Sequence, residues 1–157
     1  MRTLQLDTII EASRERVWEA ITNETSFRRW TAAFAEGSHF EGGWNQGDTI
    51  WFLAPDDQQI PRGMRSEIRV SRYPEHISIR HLGTALKGIA EISEAQNLTA
   101  PYATEEYTLT ETGPGQTRFA LDMTMREDFY GSFATFRDQW IQALGLLKEI
   151  AEEHTGD

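Results

Sequence analysis

The side chains with the clearest potential for chemistry are one histidine and one glutamate in predicted strands. Among the four histidines of the sequence, only His81 falls in the inward-facing register of a predicted strand. Glu105 shares a register with Tyr107, and if that register faces inward, its carboxylate approaches the same interior. His81 and Glu105 would then be able to act as an acid–base pair. They are the catalytic candidates of this sequence.

A structural explanation is simpler for both candidates. A single inward-facing histidine is more often a hydrogen-bonded core residue than a catalyst. Burying an unpaired carboxylate is costly, so we expect Glu105 to lie in water at the start of its strand. The sequence contains no GxSxG, P-loop or complete GxGxxG motif. We predict no cofactor.

The sequence also argues against a bound metal ion. It has no cysteine, and its histidines show no HExxH or comparable ligand spacing. We therefore predict no metal site. The histidines are His39, His76, His81 and His154.

The composition is that of one acidic globular domain. The chain has 157 residues, of which 39% are hydrophobic and 11% aromatic, and this suits a single domain over residues 1–157. A net charge of −10 would repel a phosphate backbone, so nucleic-acid binding is not expected. No apolar run reaches the roughly 18 residues of a membrane span, and the first residues lack the apolar stretch of a secretory signal. We expect a cytoplasmic protein.

Period-two alternation predicts an antiparallel sheet through the middle of the chain. The predicted strands cover residues 3–10, 37–42, 48–54, 63–72, 76–82, 105–109 and 119–125. Residues 84–101 show no clear strand pattern, and an irregular stretch of that length is usually functional or mobile. It is predicted to form a short helical turn or a flap.

Three helices complete the predicted fold. Ser13 is a suitable N-cap for the first helix, and Phe27 and Trp30 mark the apolar face of a short second one. A stripe of apolar residues predicts a final helix over residues 128–153. The order βααββββββα predicts an α+β helix-grip fold, in which a curved antiparallel β-sheet wraps around the long C-terminal helix.

Three stretches carry a resemblance to a known family: Ala12-Ser13-x-x-x-Val17-Trp18, Phe27-x-x-Trp30 and Trp140-x-x-x-Leu144-x-x-Leu147. With them the chain resembles the SRPBCC superfamily of START-like, helix-grip proteins. Within it, the chain is similar to small bacterial members of the family that resembles the C-terminal domain of the activator of Hsp90 ATPase. Such proteins bind lipids, hormones or polyketides or serve as co-chaperones, and only some are enzymes.

Three functions follow as hypotheses. The first is binding of a small apolar or lipid-like ligand between the sheet and the last helix, and the second is a cyclase- or hydrolase-type enzyme that uses the same cavity. The third is a co-chaperone-like interaction domain. No interaction with Hsp90 is expected, because the chain carries one domain and lacks the additional N-terminal domain of the eukaryotic activator. A homodimer is compatible with the sequence.

A specific set of side chains is predicted to line the ligand cavity. They come from the inward registers of successive strands and from the last helix, and its mouth is expected near residues 84–101. Walls of this kind are mostly apolar with a few orienting polar groups. The predicted lining residues are Trp51, Met64, His81, Tyr107, Met123, Phe133 and Trp140.

Overall fold

A computed structural model of the chain describes residues 1–86, 89–94 and 102–153. Its helices are α1 (Arg14–Thr22), α2 (Glu24–Thr31) and α3 (Phe133–Glu152), and a 3₁₀ turn covers Glu127–Phe129. Its strands are β1 (Arg2–Ile10), β2 (His39–Gly42), β3 (Thr49–Pro55), β4 (Pro61–Arg72), β5 (His76–Leu86), β6 (Ile89–Glu94), β7 (Ala103–Gly113) and β8 (Gln116–Met125).

The eight strands form one antiparallel sheet. Their spatial order is β1-β8-β7-β5-β4-β3-β2, and β6 pairs with β5 outside this path. Helix α3 packs against α1, α2 and β1, and it buries Trp140, Leu144 and Leu147 in the common core. This arrangement confirms the predicted α+β helix-grip fold with a curved sheet around the C-terminal helix.

The predicted element order lacks one strand. The segment Ile89–Glu94 is strand β6, and β5 extends to Leu86, so the helical turn predicted for this part of the chain is wrong. Ile89 and Ile92 are three residues apart, which is a helical spacing, but pairing with β5 determines the local structure instead. The remainder of the predicted irregular stretch, residues 87–88 and 95–101, lies outside the described residues.

Side-chain caps fix where the helices begin. The Ser13 hydroxyl accepts a hydrogen bond from the Arg16 backbone N–H at 3.2 Å, and the Asn23 side chain accepts one from Ser26 at 3.1 Å. Asn23 therefore ends α1 and starts α2 without a linker. The last helix begins at Phe133 rather than at the predicted residue 128, since Ser132 is its N-cap.

Candidate ligand-binding cavity

A cavity of about 250 Å³ lies between α2, the central strands and α3. Strands β3, β4, β5 and β7 form its floor, and the two helices form its opposite walls. Much of the lining is aromatic, including rings from Phe27, Trp30, Phe34, Phe52, Phe136 and Trp140. Such a surface gains free energy when an apolar molecule displaces water from it.

A connected polar cluster lies at the floor of the cavity. His81 Nε2 and Glu105 Oε1 are 2.9 Å apart, and the Tyr107 hydroxyl donates a hydrogen bond to Glu105 Oε2. Behind the histidine, Ser66 Oγ lies 2.7 Å from His81 Nδ1. The exposed fractions are 4% for His81, 8% for Glu105, 2% for Tyr107 and 0% for Ser66. The expectation that Glu105 lies in water is therefore wrong.

Strand register explains why these side chains meet. Ala103, Glu105, Tyr107 and Leu109 alternate with more exposed residues along β7, so all four point to the inner face. His81 lies opposite Ala103 on the neighbouring strand, one inward position away from Glu105. A β-bulge follows His81, where the pairing with β4 shifts register between Arg65 and Ser66.

The surroundings of the cluster fix its hydrogen-bond directions. Burial, followed by the charge of Glu105 and its hydrogen bond, raises the pKa of Tyr107 well above its ordinary value. The Tyr107 hydroxyl therefore keeps its proton at neutral pH and donates it to the carboxylate. Rings of Phe52 and Phe129 lie with their centroids 5.7 Å and 5.2 Å from that of His81, and they hold the imidazole in place.

Ser66, His81 and Glu105 do not form a nucleophilic triad. Ser66 contacts Nδ1, whereas the acidic partner contacts Nε2, which is the reverse of the order in serine hydrolases. Ser66 is also fully buried and lies outside the cavity wall. Its hydroxyl therefore orients the imidazole ring and is not placed to attack a ligand.

The structure places four of the seven predicted lining residues on the cavity wall: Met64, His81, Tyr107 and Trp140. Trp51 is a correction, because it lies beside Phe52 in β3 and so points to the opposite face, where its cross-strand partners are Glu41 and Arg65.

Met123 and Phe133 are also corrections. Met123 faces inward as predicted, but it is completely buried in the packed core beside the cavity. Phe133 lies in the first turn of α3, and its ring stacks under the Arg2 guanidinium at 4.1 Å. Inward register alone does not distinguish packed core from cavity wall.

Sequence reasoning missed the contribution of α2 to the wall. Phe27 and Trp30, which the sequence predicts only as the apolar face of the short second helix, line the cavity together with Phe34. Their spacing of three and four residues was the available signal. Trp30 Nε1 is buried and has no hydrogen-bond partner among the described residues, so the wall also holds one unpaired donor.

A partly exposed arginine also lies on the cavity wall. Arg62 lines the wall while half of its side chain is exposed, and it forms an ion pair with Asp56. The Ile60 backbone N–H and the Arg62 guanidinium lower the pKa of Asp56. The pair keeps this side of the cavity near neutral charge.

Within residues 1–86, 89–94 and 102–153, no group of three or more metal-ligating side chains lies together. No helix in these ranges is both long and apolar enough to cross a membrane.

The model of one protein family, described as activator of Hsp90 ATPase homolog 1-like protein, matches residues 11–152. The chain belongs to this family. The predicted resemblance to this family is thereby confirmed. The domain has the helix-grip architecture that the resemblance to the SRPBCC superfamily implied. No curated protein matches the chain significantly.

Solved structures support the same fold. The protein MLL2253 from Mesorhizobium loti is 16% identical with a TM-score of 0.68, over 98% of each chain. The Aha1 dimer from Colwellia psychrerythraea is 17% identical with a TM-score of 0.67, over 99% of this chain and 100% of the other. ChR145 from Cytophaga hutchinsonii is 18% identical with a TM-score of 0.68, over 100% and 98%. At these identities the likeness extends to the fold alone.

Proposed function

We propose that this domain of the Hsp90-activator-like family binds a small, mostly apolar molecule in the cavity between the sheet and α3. The observation that carries the proposal is an aromatic cavity of about 250 Å³ with the His81–Glu105–Tyr107 cluster at its floor. Apolar walls with a few polar groups are typical of small-molecule sites. The aromatic surface supplies affinity, and the cluster orients the ligand.

The volume limits the size of the ligand. A cavity of about 150 Å³ in another protein accommodates benzene, so the cavity of about 250 Å³ suits a molecule of roughly ten non-hydrogen atoms by the same scale. One or two fused rings meet this limit. A long-chain lipid would have to extend out of the cavity, so a compact ligand is favoured over a fatty acyl chain.

A cavity-filling variant tests the proposal. Ala54→Phe adds a ring inside the wall, because Ala54 lines the cavity, whereas Ala134→Phe adds the same ring to an exposed position of α3. Two-ring compounds should raise the melting temperature of the native protein and of Ala134→Phe, but not that of Ala54→Phe. A ligand at one hundred times its Kd adds about 2.7 kcal/mol of stability. Equal binding to Ala54→Phe and Ala134→Phe would show that the ligand binds outside this cavity.

The His81–Glu105 contact favours a second candidate, an enzyme of the cyclase or hydrolase type. The two groups are hydrogen-bonded at 2.9 Å on the cavity wall, where a bound substrate is within reach of an acid–base pair. Any molecule that co-purifies with the protein, identified by native mass spectrometry, should then change mass or exchange a C–H proton with D₂O. Unchanged ligand after long incubation would leave binding as the function.

The family description supports a third candidate, a co-chaperone-like interaction domain. The exposed large apolar residues of the described chain are Met1, Ile9, Tyr73 and Ile141, and they are spread over the N-terminal strand, the turn after β4 and α3, whereas a docking surface is usually one contiguous patch. Stimulation of a purified Hsp90 ATPase by this domain would favour the third candidate. The dimer formed by the Colwellia relative motivates light-scattering measurements of whether this domain is also a homodimer.

A further inference from the structure

We propose that the cavity selects ligands that carry a hydrogen-bond donor, a hydroxyl or N–H group, at the end that reaches Glu105. This inference rests on the proposed binding function and specifies the chemistry of the ligand. It follows from where the protons of the polar cluster are directed.

The N–H and O–H protons of His81, Glu105 and Tyr107 all take part in hydrogen bonds within the cluster or to Ser66. The Tyr107 hydroxyl donates to Glu105 Oε2, and the hydrogen bond between His81 Nε2 and Glu105 Oε1 uses one more proton. The remaining ring nitrogen, Nδ1, contacts Ser66, which lies outside the cavity wall. No N–H or O–H bond of His81, Glu105 or Tyr107 therefore points into the cavity.

The conclusion is the same for each protonation state of the His81–Glu105 pair in which Tyr107 keeps its hydrogen bond to Glu105 Oε2. If Glu105 is ionised, His81 Nε2–H donates to it, whether or not Nδ1 also carries a proton. If Glu105 holds the proton, its O–H donates to Nε2. In each case His81, Glu105 and Tyr107 present only acceptor lone pairs to the cavity, on the carboxyl oxygens and on the Tyr107 hydroxyl.

A polar cluster that presents only acceptors discriminates between ligands of equal shape. A ligand O–H or N–H gains a charge-assisted hydrogen bond with Glu105. A ligand that offers only an ether or carbonyl oxygen loses its water without a partner, and this loss is costly in a buried site. The Trp30 N–H group belongs to α2, apart from the strands that carry the cluster, and it would favour acceptors instead.

Three bicyclic molecules of equal size separate these possibilities. Indole carries an N–H donor, benzofuran carries only an acceptor oxygen, and indene carries neither. Titration calorimetry on the native protein should show indole binding about tenfold more tightly than indene, a difference of about 1.4 kcal/mol. Benzofuran should bind no better than indene. Equal affinities for all three, or a preference for benzofuran, would overturn the inference and leave the binding function in place.

Glu105→Gln tests the role of the carboxylate, and the adjacent residue provides a matched control. The amide brings N–H donors to the floor, so the preference for indole over benzofuran should be lost. Glu106→Gln makes the same change on the opposite face of β7, where Glu106 pairs with His76 at 3.0 Å, and it should keep the preference.

Two outcomes would contradict this assignment. If Glu105→Gln still binds indole more tightly than benzofuran, a group other than the Glu105 carboxylate recognises the donor of the ligand. Absence of binding by all three molecules to the native protein would overturn both the inference and the proposed function.

Discussion

Tyr107→Phe removes one oxygen atom from the centre of the buried cluster. Tyr107 is 2% exposed, and its hydroxyl donates a hydrogen bond to Glu105 Oε2. Phenylalanine keeps the ring, which packs against Phe119 and Trp140 with centroid distances of 5.3 Å and 6.2 Å. The change therefore isolates one hydrogen bond to a buried carboxylate.

The expected loss of stability is about 2 kcal/mol. Hydrogen bonds to charged groups contribute roughly 1.5–3 kcal/mol, and a buried acceptor that loses its donor keeps its desolvation cost. The variant retains the other donor, His81 Nε2, at 2.9 Å from Oε1, so the carboxylate is not left without partners. For a domain of this size, the loss corresponds to a melting temperature lower by about 4–8 °C.

Urea unfolding followed by tryptophan fluorescence measures this loss at pH 7. Tyr73→Phe is the control, because Tyr73 is 63% exposed and its hydroxyl is accessible to water. The control should change the free energy of unfolding by no more than about 0.5 kcal/mol. Equal losses in the two variants, or none in Tyr107→Phe, would refute the assigned hydrogen bond.

The same variant predicts a difference in alkaline stability. The folded-state pKa of Tyr107 is raised well above the ordinary value near 10, so above pH 10 the unfolded chain loses this proton first. The stability from the neutral hydroxyl is complete below pH 10 and falls by about 1.4 kcal/mol per pH unit above it. The free energy of unfolding of Tyr107→Phe should therefore fall less steeply with pH than that of the native protein. Identical slopes for the two proteins between pH 10 and 11 would contradict the raised pKa of Tyr107.

Three other substitutions test the packing around the cavity by the same unfolding assay. Trp140→Ala should cost about 3–5 kcal/mol because the ring is 2% exposed, and a smaller loss would show that the helix relaxes into the gap. Gly63→Ala should cost about 4 kcal/mol or more, since its methyl carbon would lie 1.8 Å from the Phe52 carbonyl oxygen. Gly145→Ala should add about 0.5–1 kcal/mol, because it is exposed in α3 with no atom within 4 Å of the new carbon, and destabilisation would contradict this.

The fold was predictable because its signals are periodic and local. Buried residues alternate with more exposed ones along β4 and β8, and a stripe of buried apolar residues follows one side of α3. A sheet and a helix that each bury one face require these patterns. Strand β6 was missed, since its pairing with β5 outweighs a short segment with helical spacing. The six residues of β6 are too few for their alternation to outweigh that spacing in the sequence.

The cavity was harder to predict than the fold. Register assigns a residue to a face, but it does not say whether another side chain fills the space above it. Met123 and Tyr107 share the inner face, yet Met123 is in solid core and Tyr107 is on the wall. The difference depends on which other segments pack against each side chain, and strand register carries no information about those segments.

The buried cluster connects the energetics of the fold to its proposed use. Glu105, His81 and Tyr107 each need the other two, because a buried polar group without its partner is costly. Apolar side chains of similar volume would fill the same positions without that requirement, and replacing buried ionic groups in this way is often neutral or stabilising. Stability alone therefore gives no reason for a carboxylate at the floor of an aromatic cavity. Its position on the wall of the cavity, where it accepts hydrogen bonds, provides that reason if the cavity holds a ligand with a donor group.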